Sequence, residues 1–155
     1  MLALGSNTRR SGRKLRELLP QLNMPMRMPH RILVVEDSPD LQQIFTRVLT
    51  NAGFEIMTAS TNSEAMFVLQ KFEPDLVLTD CFLTGAGPLI VSALKESRPK
   101  LPIIVLSGDP EGARMLLPDA DAILGKPISL AELTQTVLHF MAAVEADRLS
   151  DGAAC

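Results

Sequence analysis

Five apolar runs, each too short to be a helix, recur at regular intervals through residues 31–125. They are Ile32–Val35, Glu55–Ala59, Leu76–Thr79, Ile103–Leu106 and Ala122–Leu124. The segments between them carry helical periodicity. Alternation of this kind predicts an α/β fold with a parallel sheet. Three of the runs are apolar without a break, as expected where helices cover both faces of the sheet. The fold class is therefore a doubly wound five-stranded parallel sheet.

The intervening helices are marked by their own chemistry. Ser38-Pro39-Asp40 offers a cap, a first-turn proline and an acid near the positive end of the helix dipole. Leu41, Ile44, Phe45, Val48 and Leu49 follow as one apolar stripe, and Gly53 is a natural stop. Thr61 with Glu64, and Ser129 with Glu132, read as capping boxes. A third helix is expected near Leu89–Ser97, ending before Pro99. The last helix should bury Leu130, Leu133, Val137 and Phe140 or Met141. Between the fourth and fifth runs, Pro110, Gly112 and Pro118 bracket only Ala113–Leu117, so that helix should be short or irregular.

The charge is divided along the chain. Residues 1–31 carry seven Lys/Arg against one acid, a balance of +6, and residues 32–155 carry eight against seventeen, a balance of −9. Residues 1–30 read as a basic, disordered extension. A transit-type presequence, a short partner-binding helix over Lys14–Leu19, and a translation start at Met24, Met26 or Met28 are the alternatives. Residues 31–146 form the folded domain, and 147–155 read as a polar tail too short for an output domain. The acidic body argues against broad nucleic-acid binding. Two cysteines, Cys81 and Cys155, give no disulfide framework, so a reducing, cytoplasmic setting is expected. No apolar run approaches the roughly 18 residues of a membrane span.

Polar residues stand just past four of the runs: Glu36-Asp37, Asp80, Ser107 and Lys126-Pro127. Neighbouring parallel strands would bring three carboxylates, a hydroxyl and an ammonium to one sheet edge, where open α/β sheets bind ligands. Like charges about 4 Å apart repel by roughly 4 kcal/mol at an effective dielectric near 20. Whole domains are stable by only about 5–15 kcal/mol. A cation is the natural remedy, and Mg²⁺ suits an all-oxygen site that works on phosphate. Asp80 is the candidate nucleophile, since a carboxylate can attack phosphorus and form an acyl phosphate. Lys126 would neutralise phosphoryl oxygens.

The stretches RILVVEDSPDLQQIFTRVLTNAGFEI, PDLVLTD, LPIIVLSG and ILGKPISLAEL together resemble the response-regulator receiver domain of two-component signalling. The resemblance covers about three quarters of the chain. It implies strand order 2-1-3-4-5 with five helices, and phosphorylation of Asp80 from a phosphohistidine. The donor would be a sensor histidine kinase or a histidine phosphotransferase. Asp37, Asp80 and the backbone carbonyl of Phe82 would hold Mg²⁺, with Glu36 acting through water. Ser107 and Lys126 would contact the phosphoryl oxygens. The Lys126–Pro127 bond would be cis.

Three departures from the family pattern stand out. Thr84 and Pro88 occupy places where the family often has Pro and Gly, with Gly85 and Gly87 nearby, so the loop after Asp80 should take a different path. Ile123 stands where the family has a switch aromatic, and the Ser107–Lys126 segment is shortened. These features resemble single-domain receivers and receivers of hybrid kinases. The expectation is a stand-alone phosphorylation-controlled binding module or phosphate shuttle with an unknown downstream protein target. It would phosphorylate and slowly dephosphorylate itself without being a turnover enzyme. One alternative is a degenerate receiver used only as an adaptor. Another is an Asp-nucleophile phosphatase of the haloacid dehalogenase type. That type needs D-x-D after the first strand, where residues 37 and 39 are Asp and Pro.

Overall fold

The computed structural model describes residues 29–81 and 87–153. The basic extension, Phe82, Thr84 and Gly85 lie outside them. Five strands, β1 (Arg31–Val35), β2 (Glu55–Ala59), β3 (Leu76–Asp80), β4 (Ile103–Ser107) and β5 (Ala122–Gly125), form one parallel sheet in the order β2-β1-β3-β4-β5. The connecting helices are α1 (Pro39–Asn51), α2 (Asn62–Lys71), α3 (Gly87–Ser97), α4 (Pro110–Leu116) and α5 (Leu130–Ala153).

Successive strand side chains point to opposite faces, and each face has its own core. Leu33, Val35, Val77, Ile103 and Val105 pack against α2, α3 and α4 through Leu69, Val91, Leu94 and Ala113. Ile32, Val34, Leu76, Leu78, Ile104 and Leu106 pack against α1 and α5 through Phe45, Leu49, Leu133, Val137 and Met141. The central strands β3 and β4 are buried along their whole length, which is why they read as unbroken apolar runs.

Local signals set the helix ends. Ser38 caps α1 by accepting from Leu41 N, and Pro39 occupies its first turn. Gly53, with φ 104°, follows the Ala52 cap at the other end, a conformation that favours glycine. Thr61 accepts from Glu64 N at 3.1 Å, and Ser129 from Glu132 N at 3.3 Å. The Glu64 carboxylate accepts from Ser60 N, one residue before the cap itself.

The structure corrects several expectations. Leu130, expected to be buried, is 39% exposed, and Ile44 of the α1 apolar stripe is 43% exposed. Ile44 lies at the margin of the α1 stripe. Leu130 lies in the first turn of α5, ahead of the buried Leu133, Val137 and Met141. The last helix continues to Ala153 and takes in most of the residues read as a polar tail. Two α5 residues, Glu145 and Arg148, reach the N-terminal edge of the sheet. There they meet His30 and Asp75. Helix α4 is short, as expected, but it is anchored by the buried Ala113 and Leu117.

Candidate functional site

The strand order reverses between β1 and β3, and the polar residues converge at that C-terminal edge. The chain leaves β1 through Glu36, whose N–H still bonds to Ala59 O at 3.0 Å. Cys81 N donates to Leu106 O at 2.9 Å, and Lys126 N donates to Ser107 O at 2.8 Å. These bonds continue the ladder one residue past the ends of β1, β3 and β5, so sheet register fixes where the polar side chains start.

Carboxylate oxygens of Glu36, Asp37 and Asp80 lie within 4.8 Å of one another. Asp37 is exposed, while Asp80 and Glu36 are buried. Lys126 reaches in from the end of β5, placing Nζ 3.1 Å from Asp80 Oδ2 and 3.7 Å from Glu36 Oε2. The Lys126–Pro127 peptide is cis. Glu36 Oε1 accepts from Ser38 N at 3.1 Å, but Glu36 Oε2 is buried without a hydrogen-bond donor.

Burial pushes the Glu36 carboxyl above its ordinary value. The Ser38 N–H and the Lys126 charge pull it down, while the hydrogen bond with Asp37 and the charge of Asp80 push it up again. One ammonium therefore faces three clustered acids, and one buried oxygen has no donor. This donor set fits a hard divalent cation such as Mg²⁺, which takes carboxylate oxygens and retains water.

Ser107 is fully buried at the end of β4. Its hydroxyl donates to Asp109 O at 2.9 Å and accepts from Asp109 N at 3.0 Å. The structure thus brings Glu36, Asp37, Asp80 and Lys126 together, and places Ser107 on the adjacent strand with its hydroxyl turned into the β4–α4 turn. Phe82 lies outside the described residues.

Two neighbours of the site were not singled out from the sequence. Cys81 is buried beside Asp80. Burial pushes its thiol up, and the neighbouring Ser107 hydroxyl partly offsets that. Asp109 holds Ser107 and also caps α4, accepting from Gly112 N at 3.0 Å. The Asp109-Pro110 pair repeats the cap-then-proline signal of Ser38-Pro39, so this role could have been read from the sequence.

A doubly wound parallel sheet with an acid cluster and a lysine at its switch point defines a class of phosphate-handling α/β proteins. The chain belongs to the response-regulator receiver family: the model for "Response regulator receiver domain" matches residues 32–138. Phosphorylation and Mg²⁺ binding are general to that family, and the acidic cluster is present here.

Among similar proteins is the DNA-binding response regulator MtrA of Mycolicibacterium smegmatis, 32% identical over 113 residues, 71% of this chain and 50% of that protein. The chain spans about half the length of the MtrA relatives it matches. A crystal structure assigned as a response regulator of Chloroflexus aurantiacus aligns with TM-score 0.69 and 29% identity, covering 74% of this chain and 99% of that one. The regulator TrrA of Thermotoga maritima, solved with Mg²⁺ and BeF, aligns with TM-score 0.66 and 27% identity, covering 72% and 98%. Among the described residues no helix is long and apolar enough to cross a membrane.

Proposed function

We propose that Asp80 accepts a phosphoryl group from a phosphohistidine on a sensor histidine kinase or histidine phosphotransferase. The chain would then act as a phosphorylation-controlled binding module or phosphate shuttle. The observation that carries this reading is the contact of Lys126 Nζ with Asp80 Oδ2 beside two further acids. An Asp80 oxygen attacks phosphorus, the bond from phosphorus to the imidazole nitrogen breaks, and the donor histidine leaves as a neutral imidazole after protonation. Lys126 stays beside Asp80 and offsets charge on the phosphoryl oxygens as the carboxylate becomes an acyl phosphate. Ser107 donates its hydroxyl proton to one of those oxygens.

Asp37, Asp80 and the Phe82 carbonyl are the proposed Mg²⁺ ligands, with Glu36 acting through water. When bound, Mg²⁺ supplies electrostatic shielding between the acids and the incoming phosphate. Slow hydrolysis of the acyl phosphate returns the protein to its starting state, so the chemistry serves signalling rather than turnover. The proposed downstream target is a protein, because residues 32–155 have a balance of −9, which disfavours nucleic acid as a direct ligand of this body.

The test is mass measurement after incubation with acetyl phosphate and Mg²⁺. The expected result is one added phosphoryl group on the native chain and none on Asp80→Asn. Equal addition to both would overturn the assignment. A second reading is favoured by the length of the MtrA relatives: the domain serves as the receiving half of a longer DNA-binding regulator. The mass of the native protein isolated from its source separates the two readings.

A further inference from the structure

The Ser107 hydroxyl has a single proton, and that proton is given to the Asp109 carbonyl at 2.9 Å. The Asp109 N–H returns a bond to the same hydroxyl at 3.0 Å. Asp109 also begins α4. Its side chain accepts from Gly112 N at 3.0 Å, and its carbonyl accepts from Ala113 N at 3.0 Å. One residue thus ties the Ser107 hydroxyl to the first turn of a helix. The tie is tight at Gly112, where an added Cβ would stand 2.3 Å from Asp109 Oδ2. The helix start is also seated on β5, since a Cβ on Gly125 would meet Pro110 Cγ at 3.1 Å.

We propose that Asp109 is a positioning residue that holds the Ser107 hydroxyl away from the phosphoryl group, with a grip set by its cap on Gly112. The inference rests on the reading of Asp80 as phosphoryl acceptor. Phosphoryl oxygens only accept hydrogen bonds, so Ser107 must donate to reach them. The same proton cannot serve the Asp109 carbonyl at the same time. Phosphate and the Asp109 turn therefore compete for one proton, and the winner sets the conformation of the start of α4. Weakening the turn should favour the phosphoryl-bound state. A neutral hydrogen bond of ordinary net strength corresponds to about a three- to tenfold change in affinity.

The experiment measures the affinity of beryllofluoride with Mg²⁺ by fluorine NMR for the full chain and its variants. Asp109→Ala deletes the cap. Gly112→Ala pushes the Asp109 carboxylate off it while improving intrinsic helix propensity. If α4 stability alone mattered, the two variants would shift affinity in opposite directions. The expected result is that both tighten binding by about three- to tenfold, while Asp109→Asn, which keeps the acceptor oxygen, stays near the native value. In a Ser107→Ala background the effect of Asp109→Ala should vanish.

A metal-free readout is hydrogen exchange. The amides of Asp109 and Gly112 should exchange faster in Gly112→Ala than in the native chain. Opposite shifts, weaker binding, an effect that survives in Ser107→Ala, or unchanged exchange would each overturn the proposal. Failure of the native chain to bind beryllofluoride, with Asp80→Asn equally silent, would instead remove the phosphoryl-acceptor reading beneath it, and the proposal with it.

Discussion

Each edge of the sheet holds a partly or wholly buried acid, Glu36 at one and Asp75 at the other, and the two are treated in opposite ways. At the C-terminal edge, Glu36, Asp37 and Asp80 share Lys126, and Glu36 Oε2 is left without a donor. At the N-terminal edge, Asp75 Oδ2 accepts from Arg31 N at 2.8 Å and Asp75 Oδ1 pairs with Arg148. His30 lies between Asp75 and Glu145, at 3.4 and 3.3 Å.

The carboxyl shifts follow from this contrast. Burial drives Glu36 up, and its partners do not reverse that. Burial would also drive Asp75 up, but His30, the Arg31 N–H and the charge of Arg148 outweigh it and hold Asp75 below its usual value. An acid held down by its neighbours stabilises the fold. An acid held up beside other acids is a charge conflict that the proposed cation would relieve.

The largest expected effect lies at the N-terminal edge. Asp75→Ala removes the acceptor for the Arg31 N–H and the Arg148 partner. It should cost about 2–3 kcal/mol, a fall of roughly 10 °C in melting temperature for a domain of this size. Urea denaturation checks the first figure and a thermal melt the second. Mg²⁺ affinity should be unchanged. A simultaneous loss of Mg²⁺ affinity would show that the edges are coupled and break the contrast.

The next effect belongs to the C-terminal edge alone. Mg²⁺ should raise stability by mass action, by about 1.4 kcal/mol at ten times its dissociation constant. Asp37→Ala should abolish that gain and leave metal-free stability equal to or above the native value, because it removes a like charge. Thermal melts with and without millimolar Mg²⁺ check both. An undiminished Mg²⁺ shift in Asp37→Ala would remove Asp37 from the proposed ligand set.

These edges were unequally legible in the sequence. Every strand is legible to within one residue, because short apolar runs alternating with helical segments have few alternatives in a two-faced sheet. Glu36, Asp37, Asp80 and Lys126 could be grouped because each stands immediately past such a run, and strand order carries them to one edge. The N-terminal cluster lacked that advantage. His30 and Asp75 precede β1 and β3, but their partners Glu145 and Arg148 lie deep in α5, and only the length and direction of that helix bring them close. The same helix shows the limit of reading periodicity. Leu130 and Leu133 looked alike as apolar residues near its start, yet Leu130 is 39% exposed and Leu133 is fully buried. The difference is set by where the helix first touches the sheet, which its own pattern does not encode.

The smallest expected effect, and the one that sharpens the contrast most, is the pH dependence of metal-free stability. Glu36 has a raised carboxyl in the folded chain, so the fold favours its protonated form. The associated stability is fully present below the unfolded value, about 4.3 for an ordinary Glu. It is lost as pH rises through the folded value. Asp75 has a lowered carboxyl, so its contribution is present above the unfolded value, about 3.9 for an ordinary Asp. That contribution is lost as pH falls through the lowered folded value. The two edges therefore slope in opposite directions on either side of the ordinary carboxylate range. Chemical denaturation across pH 3 to 7 should show a decline on the alkaline side that disappears in Glu36→Gln, and a decline on the acid side that disappears in Asp75→Asn. Saturating Mg²⁺ should remove the alkaline decline as well, since a cation favours the ionised acid. An alkaline decline that persists in Glu36→Gln would mean that the charge conflict at this edge lies elsewhere than on the buried glutamate.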